Sequence, residues 1–421
     1  MNKCKRQFYN KVAAVLVCVA ATCLFFACSR DDHDDSSKEK TEKPLPGFEV
    51  AKSRTVMVYI AADNSLDTNV ARDVTEILKG FSKYDLGAGC RMVVFVDAGR
   101  GNPKIYALEH GFDVTTNGSI APVKTYASDV NSASADVLAE FVDYAMSHYP
   151  ADSYGLVLGS HGFGWIPSYV RIDPKSKISR AFGTDDTTGK GRIGMGTDEI
   201  ANVLSARGGV DFVFFDACFM QTIEVACDLM DVAKHIIASP AEVPLSGADY
   251  STAVPEMFRD KGYSEAICEA YNNVYLHDED GGAVISCIDT DSLQHFIQYM
   301  RQHMANLADS MDYVDVDALF SYHKYPTVAS FYPDMPDMQS VMKHLLDENE
   351  FAEWCVEAKK AVKCWHGSTW YDTYRDKVDV DDEQCSGVSM FVPRSVYDSY
   401  GAYFNAYYMQ TRWAKMLWGK M

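Results

Sequence analysis

The sequence predicts an α/β fold on a mostly parallel sheet, and three observations carry that reading. From residue 54 onward, short runs rich in Val, Ile, Phe and Tyr alternate with longer amphipathic stretches, the order of a sheet covered by helices. The runs are almost continuously apolar, as strands buried on both faces must be. The chain, 421 residues with 47% hydrophobic content, is long enough to bury a large core, which excludes disorder of the whole.

Taken in order, the strands fall at 55–61, 91–97, 154–159, 210–216, 235–239 and 283–288, with helices at about 65–81, 132–148, 197–206, 220–233, 263–277 and 291–309. Asp198 and Glu199 open one helix, and Ser132 with Asp136 has the form of a cap followed by a first-turn acid. The last third predicts helix at about 336–364, a strand at 387–392 and an aromatic-rich end at 397–418 that packs on the main domain. Segment 173–196, rich in Lys, Arg, Gly, Thr and Asp, interrupts the pattern as a long loop, a form with functional or mobile roles in compact domains.

The N-terminus has the parts of an export signal over residues 1–27: basic Lys3, Lys5, Arg6 and Lys11, then an apolar run from Val12 to Ala27 broken only by Thr22. Leu24-Phe25-Phe26-Ala27-Cys28 resembles a bacterial lipoprotein cleavage box, which makes Cys28 the expected lipidated residue and the outer membrane the expected location. The acidic run from Asp31 to Asp35 resembles the surface-export tag of Bacteroidetes lipoproteins, or is a solvated spacer. Residues 28–53 read as a polar linker, 54–393 as the folded domain and 394–421 as the aromatic segment.

The net charge of −20 becomes −24 once residues 1–27, with four basic groups and no acidic ones, are removed. Nucleic acid is therefore not an expected partner, whereas a basic protein or peptide suits the field. The membrane is expected to be touched through the lipid alone. Of twelve cysteines, three leave with the signal and one takes lipid. The other eight have no CxxC spacing and form neither a zinc set nor a disulfide framework.

Two predicted strands end in chemistry-bearing residues. Leu156-Val157-Leu158 runs into Gly159-Ser160-His161-Gly162-Phe163-Gly164-Trp165, and Phe212-Val213-Phe214-Phe215 runs into Asp216-Ala217-Cys218. Ligands of open parallel sheets bind beyond the strand carboxyl ends, where one His and one Cys can act as base and nucleophile. A free thiol is only a few per cent ionised at neutral pH, and the imidazole and the start of the helix at 220 are expected to favour its thiolate. Gly162 would let backbone approach a scissile carbonyl, its N–H and that of Cys218 forming an oxyanion hole. Either residue alone reads equally as a structural histidine or a core cysteine.

The strand-His-Gly and strand-Asp-Ala-Cys pattern resembles the caspase-like cysteine peptidases. Val56 through Leu66, Ser160-His161-Gly162, Asp216-Ala217-Cys218-Phe219-Met220 with Glu224, and Ser239-Pro240 with Glu242 through Tyr250 are similar to the clostripain family. The resemblance implies a caspase-like αβα sandwich with additional C-terminal helices, and a His161–Cys218 dyad cleaving after Arg or Lys. Asp216 would lie in the pocket for that side chain, as a carboxylate suited to a guanidinium or ammonium; the alternative is a cap for the following helix.

It also implies activation by a cut between the His and Cys strands, with Lys175, Lys177, Arg180, Lys190 and Arg192 as candidate sites and Arg180 preferred. Calcium sensitivity in some relatives makes Ca2+ a candidate cofactor at Asp185-Asp186 or at Asp379, Asp381, Asp382 and Glu383, although no metal is assigned. Trp165 either walls the substrate cleft or is core. The rival from another class is a surface lipoprotein that binds peptide or glycan without chemistry. A serine hydrolase lacks its GxSxG elbow, and a nucleotide-binding enzyme lacks its glycine spacing and P-loop lysine.

Overall fold

The computed structural model describes residues 43, 45–114, 120–166, 182–186, 194–276, 282–303, 307–311, 314–324, 333–371, 377–380, 383–395, 397 and 404–418. The elements in chain order are β1 (Arg54–Ala61), α1 (Val70–Ser82), β2 (Cys90–Asp97), β3 (Lys104–Leu108), β4 (Lys124–Thr125), α2 (Ala135–His148) and β5 (Ser153–Gly159). Then come α3 (Thr197–Ser205), β6 (Val210–Asp216), α4 (Ile223–Leu229), β7 (Ala233–Ala238), α5 (Tyr250–Glu256), α6 (Tyr263–Tyr275), β8 (Val284–Asp289), α7 (Thr290–His303) and α8 (Ala308–Met311). After a short 3-10 turn at Val316–Ala318 follow α9 (Met338–Leu345), α10 (Glu348–Ala361), β9 (Val362–Gly367), β10 (Trp370–Tyr371), β11 (Lys377–Val378), α11 (Phe404–Tyr408) and α12 (Arg412–Trp418).

Nine strands form one sheet in the order β4-β3-β2-β1-β5-β6-β7-β8-β9. The five central strands are parallel, and antiparallel strands close both edges. Side chains alternate across this sheet with the two-residue period of a strand. Met57, Tyr59 and Ala61 of β1 face one core, while Val56, Val58 and Ile60 face the other. The first core lies under α2, α3, α4, α7, α9, α10 and the C-terminal α11 and α12, and the second under α1, α5 and α6. The αβα expectation is met.

Gly155 in β5 has a local reason. A Cβ there would overlap the ring of its register partner Phe212, which is buried against Tyr263.

The structure corrects several element assignments. The expected strand at 387–392 is a buried irregular segment. Its carbonyls at Val388 and Ser389 accept from the N–H groups of Met338 and Ile223, the first residues of α9 and α4. Helix starts leave such donors unpaired, so the segment serves as their cap. The expected helix 336–364 is two helices and edge strand β9, with Asp347 capping the second through a reciprocal box with Glu350. The cap of α2 is Ser134, accepting from Val137, whereas Ser132 bonds Asp185. The aromatic end packs as expected: Tyr408 and Trp413 are buried in the first core.

Glu224 joins α4 to the irregular segment, its carboxylate accepting from Phe391 N–H at 2.9 Å. Burial pushes this carboxyl up to about 7. A raised carboxyl pKa means that stability present below the unfolded value near 4.5 is lost as pH rises towards 7. Glu224→Gln is therefore expected to be more stable than the parent above pH 7 by about 3 kcal/mol, with no difference below pH 4.5, as measured by urea denaturation across that range.

Candidate active site

Strands β5 and β6 are hydrogen-bonded neighbours, and the last residue of each is paired with the other, Gly159 with Asp216. His161 and Cys218 each lie two residues beyond that pair, so the sheet register alone brings the two loops side by side. The contact is closer still at Gly162, where a Cβ would overlap the Cys218 carbonyl oxygen and stand 2.9 Å from Met220 Sδ and 3.0 Å from Ala217 Cβ. Gly164, at φ +67°, is packed in the same way against the Phe219 carbonyl at 3.0 Å. The glycines flanking Phe163 thus serve the approach of one backbone to another. Ser160 fixes the base of the His loop by donating to the Ala61 carbonyl at 2.5 Å.

Among the described residues Phe219 is the one non-glycine with positive φ, at 61°. Such a backbone costs on the order of 1–2 kcal/mol for an L-residue. The turn is held by its N–H donating to the Ala241 carbonyl at 2.9 Å and by its ring against His323. This strained turn directly follows Cys218. Helix α4 begins later than the sequence implied, at Ile223 with Thr222 as cap, so Cys218 does not sit on the helix start and Asp216 does not cap it.

The half-buried Cys218 sulfur accepts from Val243 N–H at 3.3 Å. Burial pushes its thiol up to about 12, with Glu242 and Asp216 adding to the effect and the Val243 N–H opposing it. His161 Nε2 lies 2.8 Å from Ser65 Oγ. In this state the thiol is neutral.

Both residues open onto a cleft of about 330 Å³ whose lining includes Asp216, Glu242, Leu245, Arg72 and Asp73. Asp216 lines this cleft, accepting from Ala248 N–H at 3.1 Å and from the Tyr250 hydroxyl at 2.9 Å. Desolvation raises its pKa, and it raises that of Asp73, which burial brings to about 6. Arg72 contacts Asp73 at 2.9 Å and donates to the Ser246 carbonyl at 2.5 Å.

Trp165 is elsewhere. It is 4% exposed, packed on Phe391 and Tyr408, and is not part of the cleft lining. Its large ring completes the first core, which is the core reading of this residue. Cys28, Lys175, Lys177, Arg180, Lys190 and Arg192 lie outside the described residues.

Of the acidic residues named for calcium, Asp185 meets Asp63 and Asp97 in a buried group whose carboxylate oxygens lie within 4.8 Å of one another. Asp185 accepts from Ser132 N–H at 2.8 Å, and burial brings Asp97 to about 6. Asp379 instead pairs with Lys377 at 2.8 Å on the surface, and Asp381 and Asp382 are outside the described residues.

Sequence reasoning missed Ser65, Arg72, Asp73 and the Val243 N–H. Ser65 and Val243 lie inside stretches that carried the family resemblance, so a signal existed for both. Arg72 and Asp73 sit on an ordinary amphipathic helix with no motif to mark them.

Fold and cleft together put the chain among the cysteine peptidases of the αβα-sandwich kind. Within them it belongs to the clostripain family, whose shared pattern covers residues 58–420. Clostripain of Hathewaya histolytica is 29% identical over 195 residues, which are 41% of this chain and 35% of that protein, so the chain spans about a third of the curated relative it matches. An inactive zymogen C11 protease from Parabacteroides distasonis superposes with a TM-score of 0.72 at 26% identity, covering 89% of this chain and 100% of that one. A secreted C11 cysteine protease from Bacteroides thetaiotaomicron, in complex with an irreversible peptide inhibitor, gives 0.70 at 28% identity over 87% of this chain and 99% of the other.

The tight backbone contact at Gly162 is testable by stability. Gly162→Ala must push the Cys218 carbonyl away, and a loss of about 1–3 kcal/mol is expected in chemical denaturation. An unchanged midpoint would contradict the contact.

Proposed function

We propose that the protein is an endopeptidase cleaving after Arg or Lys, with Cys218 as nucleophile and His161 as base. The observation that supports this most directly is the common register of the two strand ends, which sets both residues at one cleft floored by Asp216. Because the free thiol is neutral, its proton passes to His161 as the substrate arrives. The thiolate then attacks the scissile carbonyl, and the N–H groups of Gly162 and Cys218 receive the oxyanion. The leaving amine takes the proton from His161, and water releases the acyl group from Cys218.

Asp216 receives the basic side chain, already polarised by Tyr250 and Ala248. Asp73 adds a second carboxylate at the same cleft, so KM for basic peptides is expected to fall as pH rises through about 6, where Asp73 ionises. A KM flat between pH 5 and 8 would remove Asp73 from substrate binding.

Activation by a cut between β5 and β6, with Arg180 preferred over Lys175 and Lys177, belongs to the same reading. So do export and lipidation at Cys28, with the outer membrane as location. If calcium acts on the protein, Asp63, Asp97 and Asp185 are the residues whose oxygen donors suit it.

The test is an assay of residues 29–421 and of Cys218→Ala on fluorogenic peptides ending in Arg, Lys, Asp, Asn or Leu, with the chain followed on a gel. Cleavage after Arg or Lys that vanishes in Cys218→Ala is expected, and Asp216→Asn is expected to lower kcat/KM for those peptides by about 10–100-fold. Cleavage after Asp or Asn would overturn the pocket assignment alone. Folded protein that cleaves nothing, with or without calcium, would favour the peptide- or glycan-binding lipoprotein. Fatty-acid labelling that persists in Cys28→Ala would overturn the anchor.

A further inference from the structure

On the far side of the second core, three thiols and an imidazole converge. Cys287 of β8 and Cys364 of edge strand β9 are register partners, so their side chains share one face of the sheet. Helix α6 packs across that face and brings Cys268, and all three sulfurs belong to the same apolar cluster. His366, two residues past Cys364 on β9, falls on the same side of the strand. Cys268 and Cys287 are buried, while Cys364 is half-buried at the sheet edge.

We propose that Cys364 and Cys268 form an oxidisable pair, a modification site for small-molecule disulfides that joins α6 to the edge strand. Cys364 is the attacking sulfur: the Cys268 thiol facing it and then His366 lower its pKa. Burial instead pushes the Cys90 thiol up to about 11 and raises that of Cys227. The thiolate, not the thiol, exchanges with disulfides.

The Cys364 thiolate attacks one sulfur of the incoming disulfide, forming a mixed disulfide and expelling a thiolate. Cys268 gives its proton to the thiolate expelled in the first step and attacks the Cys364 sulfur. The protein disulfide forms and the second small thiol leaves. Two protein thiols are oxidised by two electrons, and the incoming disulfide is reduced to two thiols.

The link would act on the helix that braces the cleft. Tyr275, at the end of α6, bonds the Ser246 hydroxyl at 2.8 Å and the Gly247 carbonyl, and Gly247 packs at the Asp216 carboxylate.

The experiment uses Cys218→Ala, which removes the cleft thiol, exposed to oxidised glutathione, then alkylated and digested without reduction for mass spectrometry. The expected product is a Cys268–Cys364 linked peptide with Cys287 alkylated, accompanied by a rise in Tm of several degrees. Cys364→Ser should abolish the link, and Cys268→Ala should leave glutathione on Cys364. Alkylation of both Cys268 and Cys364 after oxidant, a Cys287–Cys364 link, or a lasting glutathione adduct with Cys268 present would each overturn the proposal.

Discussion

The pairing of Gly159 with Asp216 across β5 and β6 is the constraint on which the rest of the cleft depends. A parallel sheet fixes where neighbouring strands end relative to one another, and here the two ends are followed at the same distance by His161 and Cys218. Ordinary ladder hydrogen bonds therefore set the relation of His161 to Cys218. The glycine at 162 then lets the two loops close without a side chain between them. What remains adjustable is electrostatic. The thiol is neutral, the imidazole is held by Ser65, and the carboxylates nearby are raised by burial.

Central features of the fold were legible because their cause is local and strong. Strands such as VMVYI in β1 are buried on both faces and read as unbroken apolar runs, and the helices over them carry one apolar stripe. The edges were not legible. In β3, KIYAL is short and partly exposed, and in β9, VKCWHG follows a helix without any Gly or Pro to announce the change. The segment 387–392 misled in the opposite direction. Its sequence, GVSMFV, has the composition of a buried strand, and it is buried, but its Val388 and Ser389 carbonyls go to two helix starts. Composition reports burial and cannot report the partner.

The cleft divides along the same line. His161, Cys218, Gly162 and Asp216 were readable since each stands at a fixed offset from an apolar run. Arg72 and Asp73 reach the cleft from a helix face, through contacts of long sequence separation that no local pattern encodes. The state of the thiol was unreadable for the same reason. Its pKa is set by burial and by Glu242, Asp216 and Val243 together, and the helix whose start was expected to help begins at residue 223.

The strand order has a consequence for continuity of the chain. The strands before β6 in sequence form the β4-β3-β2-β1-β5 half of the nine-stranded sheet, and β6 to β9 form the other half. The covalent connection between the halves runs entirely through the segment from residue 160 to 209. A break within it would divide the molecule down the middle of its sheet, one residue of the His161–Cys218 pair on each piece. The two halves of the sheet meet at one cleft, with His161 beyond the last strand of the first half and Cys218 beyond the first strand of the second.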